Sequence, residues 1–317
     1  MQLPKLKRSI KMRILFESLK DLFNSENEFF NYARSGKRIT HIALAIPLVI
    51  IFIFGSMIIS GIPGQLLVDY FDLGKPVIEF YNLFVSFGIL IIVVWLWVRF
   101  FEKRSIKTLG FTGNNAFKKY LKGFISAIIM LSIVLLLMAA FGKVGFQENP
   151  KPLNLNLWGI FLLMLIGYIV QGAAEEILVR GWQFQVIGAR YKPWLGLVIS
   201  SVIFALLHGT NSGVSALAII NLLLFAILLI IFILYEKSIW AACGWHTAWN
   251  WSMENVFGLK VSGSEGLGSM LNLTAEGPNY ITGGDFGPEG SILTSFVLFG
   301  GMIVLLSLNA KKLKINK

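Results

Sequence analysis

Apolar runs of about eighteen residues or more, long enough as helices to cross a bilayer, recur along this chain and constrain its fold more than any other feature. In hydrocarbon every backbone N–H and C=O must be paired within the protein, so runs this long read as helices. Eight spans are expected at 42–59, 81–100, 123–141, 157–179, 194–208, 214–235, 239–257 and 292–309. Only 14% of the residues are charged, whereas soluble domains carry about a quarter. The expected fold is all-α, a polytopic membrane helical bundle of about eight transmembrane helices.

The net charge of +11 is distributed as a membrane protein distributes it. Eight crossings place every Lys and Arg except Lys75, Lys143, Lys151 and Lys260 on one side, as the positive-inside rule requires of the cytosolic side. Both termini are then cytosolic, and the surplus charge faces anionic headgroups. The lipid bilayer is the partner this charge implies, and nucleic acid is not. A single cysteine, Cys243, excludes an internal disulfide and a cysteine-based zinc set.

One transmembrane domain, 39–310, is expected between two basic flanks. Residues 1–38 hold nine Lys and Arg and no span-length run. Leu15, Leu19, Leu22 and Phe23 fall on one helical face, which suits an amphipathic helix on the cytosolic surface; a basic topogenic tail is the alternative. Residues 311–317 form a basic cytosolic tail. Gly61-Ile-Pro-Gly64 is a turn signal ending the first span. A short external loop with Pro150 and Pro152 follows the third span. The stretch 258–290 is Gly-rich, holds Glu265, Glu276, Asp285 and Glu289, and reads as a flexible external loop. It has no GxxxxGK phosphate signature, and its Asn272-Leu-Thr274 sequon matters only in a secretory pathway.

The chemistry is concentrated where charge interrupts hydrocarbon. Gln171-Gly-Ala-Ala-Glu175-Glu176-Ile-Leu-Val-Arg180 follows an almost wholly apolar segment. Each such charge costs about 2.5–3.5 kcal/mol to insert. Glu176 and Arg180 are helical i,i+4 neighbours with the acid first, the favoured order for a pair. Glu175 points about 100° away, without that partner. Phe204-Ala-Leu-Leu-His208 and His246-Thr-Ala-Trp-Asn250 add two imidazoles and an amide on two further spans. An acid, two imidazoles and an amide suit hydrolysis. Glu175 is the candidate base toward water, with His208 sharing that water or passing the proton on. His246 and Asn250 are the candidate oxyanion donors. Glu176, Arg180 and Phe204 are supporting residues.

Three readings compete with that one. A His or Asn in a membrane helix can simply tie helices together, at about 0.6–2 kcal/mol per hydrogen bond. One Glu and two His also make a common zinc set, so Glu175, His208 and His246 are the metal candidates, though no HExxH is present. A transporter should show related halves or paired broken helices, and neither is found. Glu254, one turn beyond Asn250, reads as a second-shell group or as a residue near the membrane exit. Cys243 and the tryptophans Trp240, Trp249 and Trp251 read as packing.

Glu-Glu-x-x-x-Arg at 175–180, Phe-x-x-x-His at 204–208 and His-x-x-x-Asn at 246–250, in this order on membrane spans, resemble the CAAX protease and bacteriocin-processing family. The likeness covers about 110–257, and Leu109-Gly-Phe111 is similar to the loop preceding the family's core. Members are intramembrane endopeptidases, among them the protease that trims proteins after a prenylated cysteine. The resemblance implies water activation by Glu175 and His208, and an oxyanion held by His246 and Asn250. It implies a membrane-associated protein or peptide substrate and a bacterial cytoplasmic membrane. A catalytically inactive scaffold of the same fold is the alternative. The Gly-rich loop has no match in the family pattern, which bears on substrate rather than chemistry.

Overall fold

The computed structural model describes residues 3–147 and 155–315; Pro150, Lys151 and Pro152 of the loop after the third span lie outside them. The described chain is helical apart from loops and one two-stranded ladder. Two helices, α1 (Leu3–Leu22) and α2 (Glu28–Arg34), precede the membrane-length elements. Then come α3 (Ile42–Tyr70), α4 (Lys75–Phe101) and α5 (Ala116–Ala140). Helix α6 runs from Leu155–Glu176 through a π-helical stretch, Ile177–Phe184, into Gln185–Arg190. Helices α7 (Pro193–Leu207) and α8 (Ala216–Glu236) follow. Next is α9 (Trp240–Trp251), which continues as a π-helix over Ser252–Phe257, and the chain closes with α10 (Ile292–Ile315).

Six of these helices are long and apolar enough to cross a membrane: α3, α4, α5, α6, α8 and α10. The spans expected at 194–208 and 239–257 are the shorter α7 and α9, of 15 and 12 residues. At about 1.5 Å per residue, α7 covers about 22 Å, less than the roughly 30 Å hydrocarbon core. Gly196, near its start, packs against Phe184 and Gly188 at the end of α6. Helix α7 therefore starts low and ends inside the bundle, which brings His208 to the level of Glu175.

Two expectations need correcting. The turn at Gly61–Gly64 does not form, and α3 runs through Pro63 to Tyr70. A proline removes one backbone donor, but in lipid an unravelled end would expose several unpaired groups, so helix is retained. Tyr81 adds support by donating to the Ser60 carbonyl at 2.7 Å. The Gly-rich stretch is not loose either. Phe286 is fully buried, and Glu289 accepts from Trp249 Nε1 at 3.0 Å and from the Ser262 amide at 2.7 Å. Asn221 of α8 donates to the carbonyls of Glu289 and Ser291 at 2.6 and 2.7 Å. Residues Leu273–Ala275 pair antiparallel with Val144–Phe146, Val144 opposite Ala275. The glycines serve compactness: a Cβ on Gly283, whose φ is +87°, would lie 1.7 Å from the Gly287 carbonyl oxygen. Asn272 is buried at φ +48° with its side chain on Ser269, no position for a glycan.

Basic residues from several helices gather at one end. Lys119 donates to the Glu236 carbonyl, and Lys237 pairs with Glu28. Lys312 stands over the Tyr235 ring, Arg104 donates to Gln185, and Arg190 donates to the Ile39 carbonyl. Helix α1 docks on α10 at this end. Ser18 donates to the Leu306 carbonyl at 2.8 Å, and Phe23 stacks on Trp194 at 4.1 Å.

Candidate active site

Helix α6 presents its two acids to different surroundings, as their angular separation requires. Glu176 is fully buried, 3.0 Å from Arg180 Nη1 and 2.9 Å from His246 Nδ1 on α9. A carboxylate only accepts, so Nδ1 carries the proton and the orientation of His246 is set by Glu176. The Arg180 guanidinium is also buried and lies 4.0 Å over the face of Phe204 on α7, an attractive cation–π geometry. Phe204 in turn stands 4.8 Å from the His208 ring and 6.4 Å from the His246 ring. The supporting residues thus sit between the two imidazoles and set their spacing.

Glu175 keeps 17% of its side chain exposed. Its Oε1 accepts from Gln171 Nε2 at 2.6 Å, and its Oε2 lies 3.7 Å from His246 Nε2, beyond hydrogen-bond distance. Asn250 does not point at the acid directly. Its Nδ2 donates to Gln171 Oε1 at 3.2 Å. His208 follows the last residue of α7, and its Nδ1 is 2.9 Å from the Phe204 carbonyl. A carbonyl only accepts, so that nitrogen carries the proton and Nε2 is left as the acceptor.

Glu175 and His208 line one cavity of about 510 Å³. Its walls come from α3 (Ile53, Ser56), α4 (Ser86, Leu90), α6 (Leu178, Val179) and α7 (Phe204, Leu207). His246 and Asn250 stand behind this wall rather than in it. The α3 and α4 lining residues lie about the middle of those helices.

Irregular helix frames the site. The π-helical stretch of α6 begins at Ile177, directly after the two acids, and α4 has another at Asn82–Ser86, facing the cavity. Such segments are rare and occur often at functional sites. Among the described residues no group of three or more His, Cys, Asp or Glu side chains converges as a metal cage. Of the metal candidates, His246 turns Nε2 toward Glu175 because Nδ1 is held by Glu176, and His208 faces the cavity from another helix.

Gln171 was legible only as the first residue of the charged stretch. Its i,i+4 spacing to Glu175 was the available signal, whereas its contact with Asn250 lies between helices. Glu254 is buried and fastened to Tyr168 and Asn255, away from the cavity. Cys243 and Trp249 are core.

Residues 157–252 match the family model of the type II CAAX prenyl endopeptidase Rce1-like proteins. That match supports the CAAX protease family. The match holds the two acids, both histidines and Asn250. The chain is also similar to the uncharacterized protein YyaK of Bacillus subtilis (strain 168). Identity is 26% over 212 residues, 65% of this chain and 70% of that protein. No solved structure matches it.

Proposed function

We propose that the chain is an intramembrane endopeptidase that hydrolyses a peptide bond of a membrane-associated protein or peptide. The observation that carries this reading is the cavity shared by Glu175 and His208, with His246 Nε2 3.7 Å from the Glu175 carboxylate. Glu175 removes a proton from water as the water oxygen bonds to the scissile carbonyl carbon. The carbonyl electron pair moves onto oxygen, and His246 and Asn250 stabilise that oxyanion. With Nδ1–H committed to Glu176, donation from His246 Nε2 requires the imidazolium, between two carboxylates. His208, acceptor at Nε2, holds the water. As the oxyanion re-forms the carbonyl and the C–N bond breaks, the proton taken by Glu175 passes through His208 Nε2 to the amine, which returns both residues to their starting states.

The rest of the reading concerns placement. The chain lies in a bacterial cytoplasmic membrane, as the Bacillus relative supports. It crosses eight times, α7 and α9 being the short crossings, with both termini and the flanks 1–38 and 311–317 cytosolic. Residues 39–310 form one transmembrane domain with its protease-like core at about 110–257, and 258–290 lies outside. The family's description suggests a lipid-anchored substrate, which approaches the cavity from within the bilayer.

Glu175→Gln tests the reading, since it removes the base and keeps the shape. Purified protein in vesicles should lose hydrolysis of a membrane-anchored peptide and keep its thermal midpoint. Full activity in Glu175→Gln would overturn it. An idle scaffold has one observation in its favour: Gln171, His208 and Asn250 are each hydrogen-bonded within the fold. A wild type that cleaves nothing, with Glu175→Gln complementing a deletion strain, would support that scaffold.

A further inference from the structure

The amide of Gln171 joins the two halves of the site. It donates from Nε2 to Glu175 Oε1 at 2.6 Å and accepts at Oε1 from Asn250 Nδ2 at 3.2 Å. The direction of this chain is fixed at one end. An ionised carboxylate has no proton to give, so Gln171 turns its NH2 to Glu175 and its carbonyl to Asn250. Asn250 must then present its NH2, the group needed to face an oxyanion. Gln171 is 7% exposed and sits one residue before Gly172, which packs against the Thr247 backbone. A buried amide with either end unpaired would be unfavourable there, and here both ends are paired. A side chain serving merely to tie α6 to α9 would need one bond to any group. This one ends on the proposed base and on the proposed oxyanion donor.

We infer that Gln171 is a positioning residue of the peptidase, one that holds the Glu175 carboxylate and the Asn250 amide in a single fixed polarity. The inference rests on the peptidase reading. Gln171 is not among the residues lining the cavity and acts through its two neighbours.

Four variants of the full chain test it, two single changes at Gln171, Asn250→Ala and a double, with a membrane-anchored peptide as substrate in vesicles. Gln171→Met keeps the length and removes both bonds. Gln171→Glu keeps the acceptor for Asn250 and removes the donor to Glu175. Each should lower kcat about ten- to a hundredfold, as loss of an orienting partner does, with KM within about twofold. The deciding measurement is a double-mutant cycle with Asn250→Ala. If Gln171 acts through Asn250, the Gln171→Met/Asn250→Ala protein should fall no further than Asn250→Ala alone, within about twofold. A structural Gln171 would multiply the two losses. Should Gln171→Met fail to fold, the same cycle run with Gln171→Leu, which also removes both bonds, decides the question. Wild-type turnover in the Gln171 variants, or multiplied losses in the cycle, would overturn the inference and leave the peptidase standing. A wild type that cleaves no peptide would overturn both.

Discussion

Glu176 and Arg180 are both fully buried, where the desolvation of two charges rivals their attraction. What makes Glu176 tolerable is its second partner, His246 Nδ1, at 2.9 Å. Removing one member of a buried pair typically costs about 3–5 kcal/mol, because the other charge is left uncompensated. Glu176→Gln should therefore lower stability by about that amount, read as chemical or thermal unfolding in detergent. Replacing both residues by methionine should recover part of the loss, since no lone charge remains. A Glu176→Gln protein as stable as wild type would show that Arg180 does not depend on this acid. The contrast with Glu175→Gln, which should stop hydrolysis at unchanged stability, separates the two acids. Their different environments were legible in the chain, because i,i+4 spacing assigns Arg180 to Glu176. The contact with His246 was not, since it joins helices separated by 70 residues in sequence.

The elements that carry the site meet through glycine. A Cβ on Gly123 of α5 would fall 1.8 Å from the Ala241 carbonyl oxygen, and one on Gly244 of α9 would fall 2.1 Å from that of Tyr120. The two backbones touch at these points, as small residues allow helices to do in membranes. Gly244→Val must push α9 away from α5, and His246 and Asn250 ride on α9. The expected result is at least the 1–3 kcal/mol typical of overpacking, about, together with loss of turnover in the fraction that remains folded. Parallel thermal unfolding and peptide cleavage check it, and a Gly244→Val enzyme with normal turnover would contradict the crossing. Such crossings are hard to read from a membrane sequence. Lipid-facing and core-facing residues are both apolar, so periodicity loses the contrast that marks a buried face in water. The same physics made helix existence easy to read and helix ends difficult. The Gly61–Gly64 turn yielded to a longer α3, and the glycines of 258–290 turned out to serve tight loop packing. Polar residues within spans were the exception, because few exist and each needs a partner.

The whole molecule has a lysine-rich end, and the path of the chain relates it to the number of crossings. Helix α6 finishes there, with Arg190 on the Ile39 carbonyl, and α8 finishes there too, with Glu236 against Lys119 and Lys122. Two long helices cannot both finish at one end unless the chain between them returns, which α7 and its loop do. Likewise Lys312 on Tyr235 places the end of α10 beside the end of α8, and α9 with its loop must carry the chain back. This path supports eight crossings from six long helices and two short ones. The positive-inside rule assigns the lysine-rich end to the cytosol. The assignment is testable because the one native thiol, Cys243, is buried and gives little background. Cysteines at the exposed positions Lys20, Lys107 and Lys311 should react with a membrane-impermeant maleimide only after cells are permeabilised. Cysteines at exposed Asp72 and Tyr280 should react on intact cells. The reverse pattern would turn the protein over in the membrane, and the cavity with it. Labelling of Lys20 and Lys311 from opposite sides would require an odd number of crossings, and either α7 or α9 would then be a re-entrant segment.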